Sequence, residues 1–418
     1  MKLKALIAQP LGFILGMWLL SRGIIILAML GIAPLLSAPS GGIQAEFGWS
    51  VFSAWDSNFY QKIATTNYDG IGSLPGANVA FFPLFPLIIR LMMGLGLSPE
   101  VAGTLINNSA FLATLFILYY WVKRTNGDKS ARWATAILAW CPLSLFATVV
   151  YTEGLFLCLS TAALSTFDRQ CYKQAAIWGM LATATRITGL ALIPAFLLTA
   201  WRKKAPRIAY LSSLSSAGGI LLYSVYCWLQ FNDPLAFITV QHTQWKRSQG
   251  IDWQGWKIML SEIITGRSQW QYNGLQDLLH PILFLLICTI SYGLWHYRDK
   301  LGIKFDYSLW GLLLLLWLMI GDPLLNTVSI LGGIYLLWYL RHQLSFIVVA
   351  YGLSALGLLL ASGGTISLNR LAYGIVSLSL ALGVLLSKYP RWGYATISFF
   401  TILLVSFSIR FAQHLWVA

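Results

Sequence analysis

Apolar runs separated by short charged segments recur along almost the whole chain. They cover residues 11–36, 103–122, 133–151, 154–167, 175–200, 208–229, 278–295, 307–320, 324–340, 344–360, 371–387 and 393–411. A membrane-crossing helix needs ~20 apolar residues, so this pattern predicts an all-α polytopic membrane protein with roughly a dozen crossings. No internal repeat with a period of ~20–50 residues is visible. Residues 1–418 therefore read as one integral membrane domain, not as a pair of duplicated transporter halves.

Two segments between the runs have the length and polarity of external loops, residues 37–100 and 230–277. The first carries Glu46, Asp56 and Asp69 against a single lysine, Lys62, before residue 80. Its apolar tail, 81–97, is broken by Pro83 and Pro86 and ends in Arg90, Gly94 and Gly96. That stretch suits a helix at the interface better than a span, and Arg90 then reads as an interface anchor, with a phosphate contact as the alternative. Residues 175–200 are apolar except for Arg186, yet both flanks are basic. Two half-length helices meeting near 185–189 satisfy both flanks, and one long tilted helix is the alternative.

Composition sharpens this picture. Of 418 residues 57% are hydrophobic and only 10% charged, which excludes one large soluble domain. The net charge of +14 would suit a nucleic-acid partner if it formed one patch, but it does not. The basic residues fall in clusters at Lys2 and Lys4, at Lys123, Arg124, Lys129 and Arg132, at Arg202, Lys203, Lys204 and Arg207, and at Arg298, Lys300 and Lys304. They mark the cytoplasmic ends of spans, and no nucleic-acid partner is expected. The N-terminal apolar run continues to Leu36 without a small-residue cleavage signal, as in a retained first span. Cys141, Cys158, Cys171, Cys227 and Cys288 show no CxxC spacing, so neither a zinc site nor a disulfide framework is indicated. The absence of HExxH, Walker and GxGxxG patterns means that no cofactor is called for, and a divalent metal is left open.

Candidate chemistry centres on Asp56. A lone carboxylate at the water interface is placed to act as a base toward a sugar hydroxyl, and equally to cap the helix that follows it. Asn107-Asn108-Ser109 has the form of a glycosylation acceptor but lies in an apolar run, so modification is not expected.

The loop reads Trp55-Asp56-Ser57-Asn58-Phe59-Tyr60, then Ile63-Ala64, then Phe81-Phe82-Pro83-Leu84-Phe85-Pro86 up to Arg90. Further on come Pro142 with Tyr151-Thr152-Glu153, Ala184-Thr185-Arg186-Ile187-Thr188-Gly189-Leu190, Asp233-Pro234-Leu235-Ala236-Phe237 with Gln241 and Trp245, and Asn369-Arg370. This series resembles the PIG-V family of mannosyltransferases within the GT-C superfamily. Phe59 stands where many members have histidine, and Ala54 where eukaryotic members tend to have arginine.

The resemblance implies a GT-C-like multi-span helical bundle whose external loops carry the active site. It also implies a polyprenyl-phosphate sugar donor, a glycan or glycolipid acceptor, and Asp56 as catalytic base. An inverting displacement needs cations to steady the departing phosphate. Arg186 and Arg370, each interrupting an apolar stretch, fit that task, with a snorkelling or helix-end anchor as the alternative for each. Trp55, Tyr60, Glu153, Gln241, His242 and Trp245 become substrate contacts by the same resemblance, with pairing to one of the two arginines or a solvated turn as the alternatives for Glu153, although Trp245, Trp253, Trp256 and Trp270 also suit an interfacial aromatic belt. The compact loops lean toward a bacterial plasma membrane with the site on its non-cytoplasmic face. A transporter or lipid flippase, and a non-catalytic subunit of the same fold, are the competing readings.

Overall fold

The computed structural model describes residues 9–69, 78–266 and 278–417; Lys2, Lys4 and Trp270 lie outside them. Among the described residues every regular element is a helix, and extended pairing is limited to an isolated bridge between Gly250 and Ser362.

Helix α1 (Pro10–Ile26) continues through a π-turn and a 3-10 turn to Leu35. The first loop then folds into α2 (Asp56–Thr66) and α3 (Leu84–Met93), ahead of the long α4 (Pro99–Asn126). Next come α5 (Asp128–Trp140), α6 (Glu153–Asp168), α7 (Tyr172–Thr183), α8 (Leu192–Arg202), α9 (Arg207–Ser215) and α10 (Gly218–Phe231). The second loop contains α11 (Ala236–Thr243) and α12 (Trp253–Thr265). The remainder is α13 (Leu279–His296), α14 (Ile303–Ile320), α15 (Asp322–Thr327), α16 (Gly333–Tyr339), α17 (Phe346–Leu360), α18 (Leu368–Tyr373), α19 (Val376–Lys388) and α20 (Pro390–Ala412).

The protein is a polytopic membrane protein, but the count of roughly a dozen full spans needs correction. Five described stretches are long and apolar enough to cross a membrane, and a sixth is added if Lys304–Ile320 and Asp322–Tyr339, bent by 117°, are taken together. Several other apolar runs are shorter helices, among them Leu84–Met93, Ile187–Arg202, Phe346–Leu360 and Val376–Lys388. An apolar window does not separate a helix facing lipid from a short one buried among neighbours. Helix α6 is the second kind, with Leu155, Phe156, Leu157, Leu164 and Phe167 all buried against adjoining helices. The run 133–151 leaves the helical path at Cys141 because Pro142 follows and cannot donate to the ladder.

Where the sequence left two alternatives for 175–200, the chain takes the broken one. Helix α7 ends at Thr183, Arg186 precedes a 3-10 turn at Ile187–Ala191, and α8 starts at Leu192. Leu84 N–H donates to Ala184 O at 3.1 Å, so this break is tied to the first loop.

Helix α6 has an acid at each end. Asp168 holds Arg124 at 2.8 Å and Lys203 at 3.5 Å, while nearby Asp128 holds Lys123 at 3.1 Å and Arg132 at 2.8 Å. Two of the basic clusters therefore converge at the C-terminal end of α6. Glu153 opens its N-terminal end, ~24 Å away at 1.5 Å per residue.

Candidate active site

Four charged side chains meet at the N-terminal end of α6. Arg370 Nη1 lies 2.8 Å from Asp56 Oδ2, and Arg370 Nε lies 3.7 Å from Glu153 Oε1. The same Glu153 oxygen is 2.7 Å from Arg186 Nη1. Glu153 is 1% exposed and each arginine 13%, whereas Asp56 keeps 29%, so the carboxylate nearest to water is Asp56. Glu153 Oε2 is buried with no hydrogen-bond partner among the described residues. Arg370 also lies over the rings of Phe146 and Tyr151, at 5.4 and 5.2 Å, and Arg186 over Phe156 at 5.8 Å. Neither arginine takes the anchor role at a lipid surface; both point into the protein toward acids.

The helix start that delivers Asp56 is strained. Trp55 is the N-cap, with φ +56°, and Ser367 caps α18 with φ +61° two residues before Asn369. A non-glycine residue in this region costs on the order of 1–3 kcal/mol and gathers at functional sites. Asp56 is the first helical residue, not the cap, and its carboxylate goes to Arg370. Its backbone N–H donates to the Tyr151 hydroxyl at 3.2 Å. Arg90, which the sequence suggested as an interface anchor, instead donates to Ala64 O at 2.7 Å and Ile63 O at 2.6 Å. It satisfies Ala64 O at the C-terminal end of α2 and adds a second donor to Ile63 O, which also accepts from Asn67 N–H.

Glu153 owes its position to Asn107. Asn107 Nδ2 donates to Phe146 O and Val149 O, both at 2.8 Å, and Oδ1 accepts from Gly154 N–H at 2.7 Å and Leu155 N–H at 3.3 Å. A Cβ at Gly154 would run into Asn107, which explains the glycine. Asn107 is fully buried and cannot accept a glycan. Arg22, inside α1, braces the same turn by donating to Ser144 O at 3.0 Å and to Ser144 Oγ and Thr148 Oγ1 at 2.8 Å.

An aromatic wall stands beside Asp56. Phe59 stacks on Phe81 at 4.6 Å, and Trp245 meets Phe81 edge-on at 5.7 Å and Phe59 at 6.5 Å. Tyr60 packs edge-on against Phe81 and Phe85 and shares a 3.3 Å hydrogen bond with Thr152. Burial pushes the Tyr60 hydroxyl above the ordinary phenol range, with Arg186 pulling the other way. Trp55 meets Trp416 edge-on at 5.3 Å and is 40% exposed. Gln241 Oε1 is buried without a hydrogen-bond partner among the described residues. His242 Nδ1 is 2.8 Å from Arg247 O, so this nitrogen carries the proton and the ring shapes the loop. Trp256 is buried in the core and Trp253 is 74% exposed, so only the latter has the exposure of a belt residue.

Two contributors, Asn326 and Arg247, carry no mark in the sequence. Asn326 Oδ1 accepts from Asn369 N–H at 2.9 Å, and its Nδ2 donates to Thr365 O at 3.2 Å, which fixes the start of α18. Asn369 itself is buried, and its Nδ2 has no partner among the described residues. Arg247 reaches the site from the second loop. Burial and, behind it, the charge of Arg370 hold its guanidinium below the ordinary arginine pKa, with Asp56 pulling it back up. A cleft of about 590 Å³, lined by Glu262, His280, Asn326, Ser367, Asn369 and Trp416, adjoins the site across Asn369. No group of three His, Cys, Asp or Glu side chains suited to a metal occurs among the described residues.

Residues 32–214 match the family model described as Mannosyltransferase (PIG-V). No curated protein sequence matches the chain. Among solved structures, the oligosaccharyltransferase of Archaeoglobus fulgidus in its apo form superposes with a TM-score of 0.50 at 13% identity, over 96% of this chain and 56% of that one. ArnT from Cupriavidus metallidurans, bound to undecaprenyl phosphate, gives 0.50 at 11% identity over 94% of this chain and 63% of that one. The chain thus spans less than two thirds of either protein, and at these identities the likeness is one of fold. Asp56, Glu153 and Arg186 all fall inside the matched segment, and Arg370 comes to them from outside it. Residues 32–214 are thus similar to the PIG-V mannosyltransferase family, and the helical frame that carries the match is similar in fold to these two membrane proteins.

Proposed function

We propose that this protein is a membrane glycosyltransferase that moves a hexose, mannose in our reading, from a polyprenyl-phosphate donor to a hydroxyl of a lipid-linked or envelope glycan. The observation that carries the reading is the meeting of a partly exposed acid, Asp56, with Arg370 beside the buried Glu153–Arg186 pair. The match to the mannosyltransferase family over 32–214 favours mannose, and the undecaprenyl phosphate held by ArnT favours the donor class.

In this mechanism Asp56 removes the proton of the acceptor hydroxyl as that oxygen attacks the anomeric carbon. The bond from that carbon to the donor phosphate breaks on the opposite face, and the configuration inverts. Cations near Asp56 stabilise the charge that collects on the departing phosphate. The wall of Phe59, Phe81 and Trp245 offers ring faces to the sugar. We place the site on the non-cytoplasmic face of a bacterial plasma membrane, because the Lys123–Arg132 and Arg202–Lys204 clusters gather at the far end of α6.

The test uses purified protein in bilayer nanodiscs with radiolabelled polyprenyl-phosphate mannose and an extract of lipid-linked glycans. Label should move to the acceptor fraction with wild type and not with Asp56→Asn. Equal transfer by both would remove the assignment.

A further inference from the structure

Arg186 and Arg370 have acidic partners within 2.8 Å, Glu153 and Asp56. Two acids and two arginines leave that cluster with no net charge. Arg247 differs. Among the described residues it makes no ion pair, and its guanidinium has one long contact, 3.5 Å from Nη1 to Ser362 O. It is also half-buried, a costly place for an unmatched cation.

The loop that carries it is pinned. Arg247 N–H donates to Gln241 O at 3.1 Å, and its carbonyl meets His242 Nδ1 at 2.8 Å. Ser248 N–H donates to Gly363 O at 2.9 Å, and Gly250 bridges Ser362. Gly363 has φ +73°, and a Cβ there would run directly into Ser248 O. The second loop is thus strapped to the segment that leads into Asn369 and Arg370, and Trp245, two residues before Arg247, already packs on the aromatic wall beside Asp56.

We propose that Arg247 is the cation that receives the donor phosphate, held in place by the strap between residues 248–250 and 362–363. The inference rests on the glycosyl-transfer reading above and adds the residue that reading lacks, a cation that no acid holds in an ion pair among the described residues. The charges balance through the reaction. A phosphodiester-linked donor carries one negative charge, which matches the single positive charge that Arg247 adds to the neutral cluster. During transfer the bond between the anomeric carbon and the phosphate oxygen breaks and its electron pair stays on the phosphate, which becomes a monoester with a charge approaching −2. The acceptor proton moves to Asp56, and the neutralised carboxyl releases Arg370. The site then presents two free cations to the doubly charged leaving group.

Farnesyl phosphate and farnesol separate the phosphate from the lipid tail. Dissociation constants for both are measured on the detergent-solubilised full chain, for wild type, Arg247→Ala, Arg247→Gln and Gly363→Ala. The glutamine variant keeps length and hydrogen bonding without charge, and the glycine variant shifts the strap without touching the cation. Wild type should prefer the phosphate, and each variant should lose roughly 10- to 100-fold of affinity for farnesyl phosphate with farnesol unchanged. If wild type prefers the phosphate and both Arg247 variants do so equally, the role of Arg247 is overturned and the transferase reading stands. If wild type does not distinguish the two probes, the phosphate-donor reading fails and this inference with it.

Discussion

Arg370 Nη1 stands 2.8 Å from Asp56 Oδ2, although one residue opens α2 in the first loop and the other belongs to α18 near the end of the chain. The pair joins the family-matched segment to the part of the chain beyond it. If the two act as one device, their substitutions should not multiply. Asp56→Asn and Arg370→Gln should each lower transfer steeply, and the double variant should be little worse than the poorer single one, as for residues that work as a unit. Turnover of the three variants at matched expression checks this. Independent, multiplying losses would mean that the ion pair has no part in the reaction.

Glu153 should matter more for stability than for chemistry. It is buried and shared by two arginines, so Glu153→Gln takes the ion-pair partner from Arg186 and leaves Arg370 with Asp56 alone. Breaking a buried ion pair from one side costs about 3–5 kcal/mol. The variant should unfold well below wild type in detergent, and Glu153→Gln combined with Arg186→Met should regain part of the loss. No recovery in the double variant would show that Glu153 acts through something other than these arginines.

Much of this site could be read from residue order, and the unread part has a physical cause. Asp56, Glu153, Arg186 and Arg370 stand out because each is an ionisable group in or beside an apolar stretch, where an unpartnered charge is expensive. The sequence could not show that they pair with one another, since each contact closes between distant parts of the chain. Arg247 lies in a polar loop with no such mark, because what sets it apart is the strap to Ser362 and Gly363. Arg90 carried a visible motif but the wrong role: its partners are backbone carbonyls of α2, which leave no trace in composition. The span count failed for a related reason, since buried short helices and lipid-facing long ones share the same apolar residues.

Topology offers a test independent of chemistry. Asn58 and Thr243 are exposed in the two loops around the site, and Lys129 is exposed at the end of the bundle where the basic clusters gather. Each is replaced singly by cysteine in a background without Cys141, Cys158, Cys171, Cys227 and Cys288. An impermeant maleimide added to intact cells should label the first two positions, and the third only after lysis. Labelling of Lys129→Cys from outside would reverse the orientation. Labelling of only one loop position would separate the two loops that the site needs together.

The role of Asp56 as base is open to the most direct trial. A carboxylate at a helix start can also be there to cap it, but Trp55 occupies the cap and Asp56 is turned toward Arg370. Asp56→Asn keeps the shape and one acceptor oxygen for Arg370 while removing the capacity to take a proton. Folding and membrane insertion should therefore stay near wild type, judged by expression and thermal unfolding. General-base assistance is worth roughly 10²- to 10⁴-fold, so turnover should fall by at least about two orders of magnitude. Asp56→Glu keeps the carboxylate but moves it by one methylene. It should recover only part of the loss, because transfer geometry is sensitive to shifts of ~1 Å. Donor affinity should change far less than turnover in both variants, since the phosphate is held by cations and not by this acid. A well-folded Asp56→Asn protein that transfers sugar at close to the wild-type rate would show that the carboxylate only positions Arg370, and the base would have to be sought elsewhere.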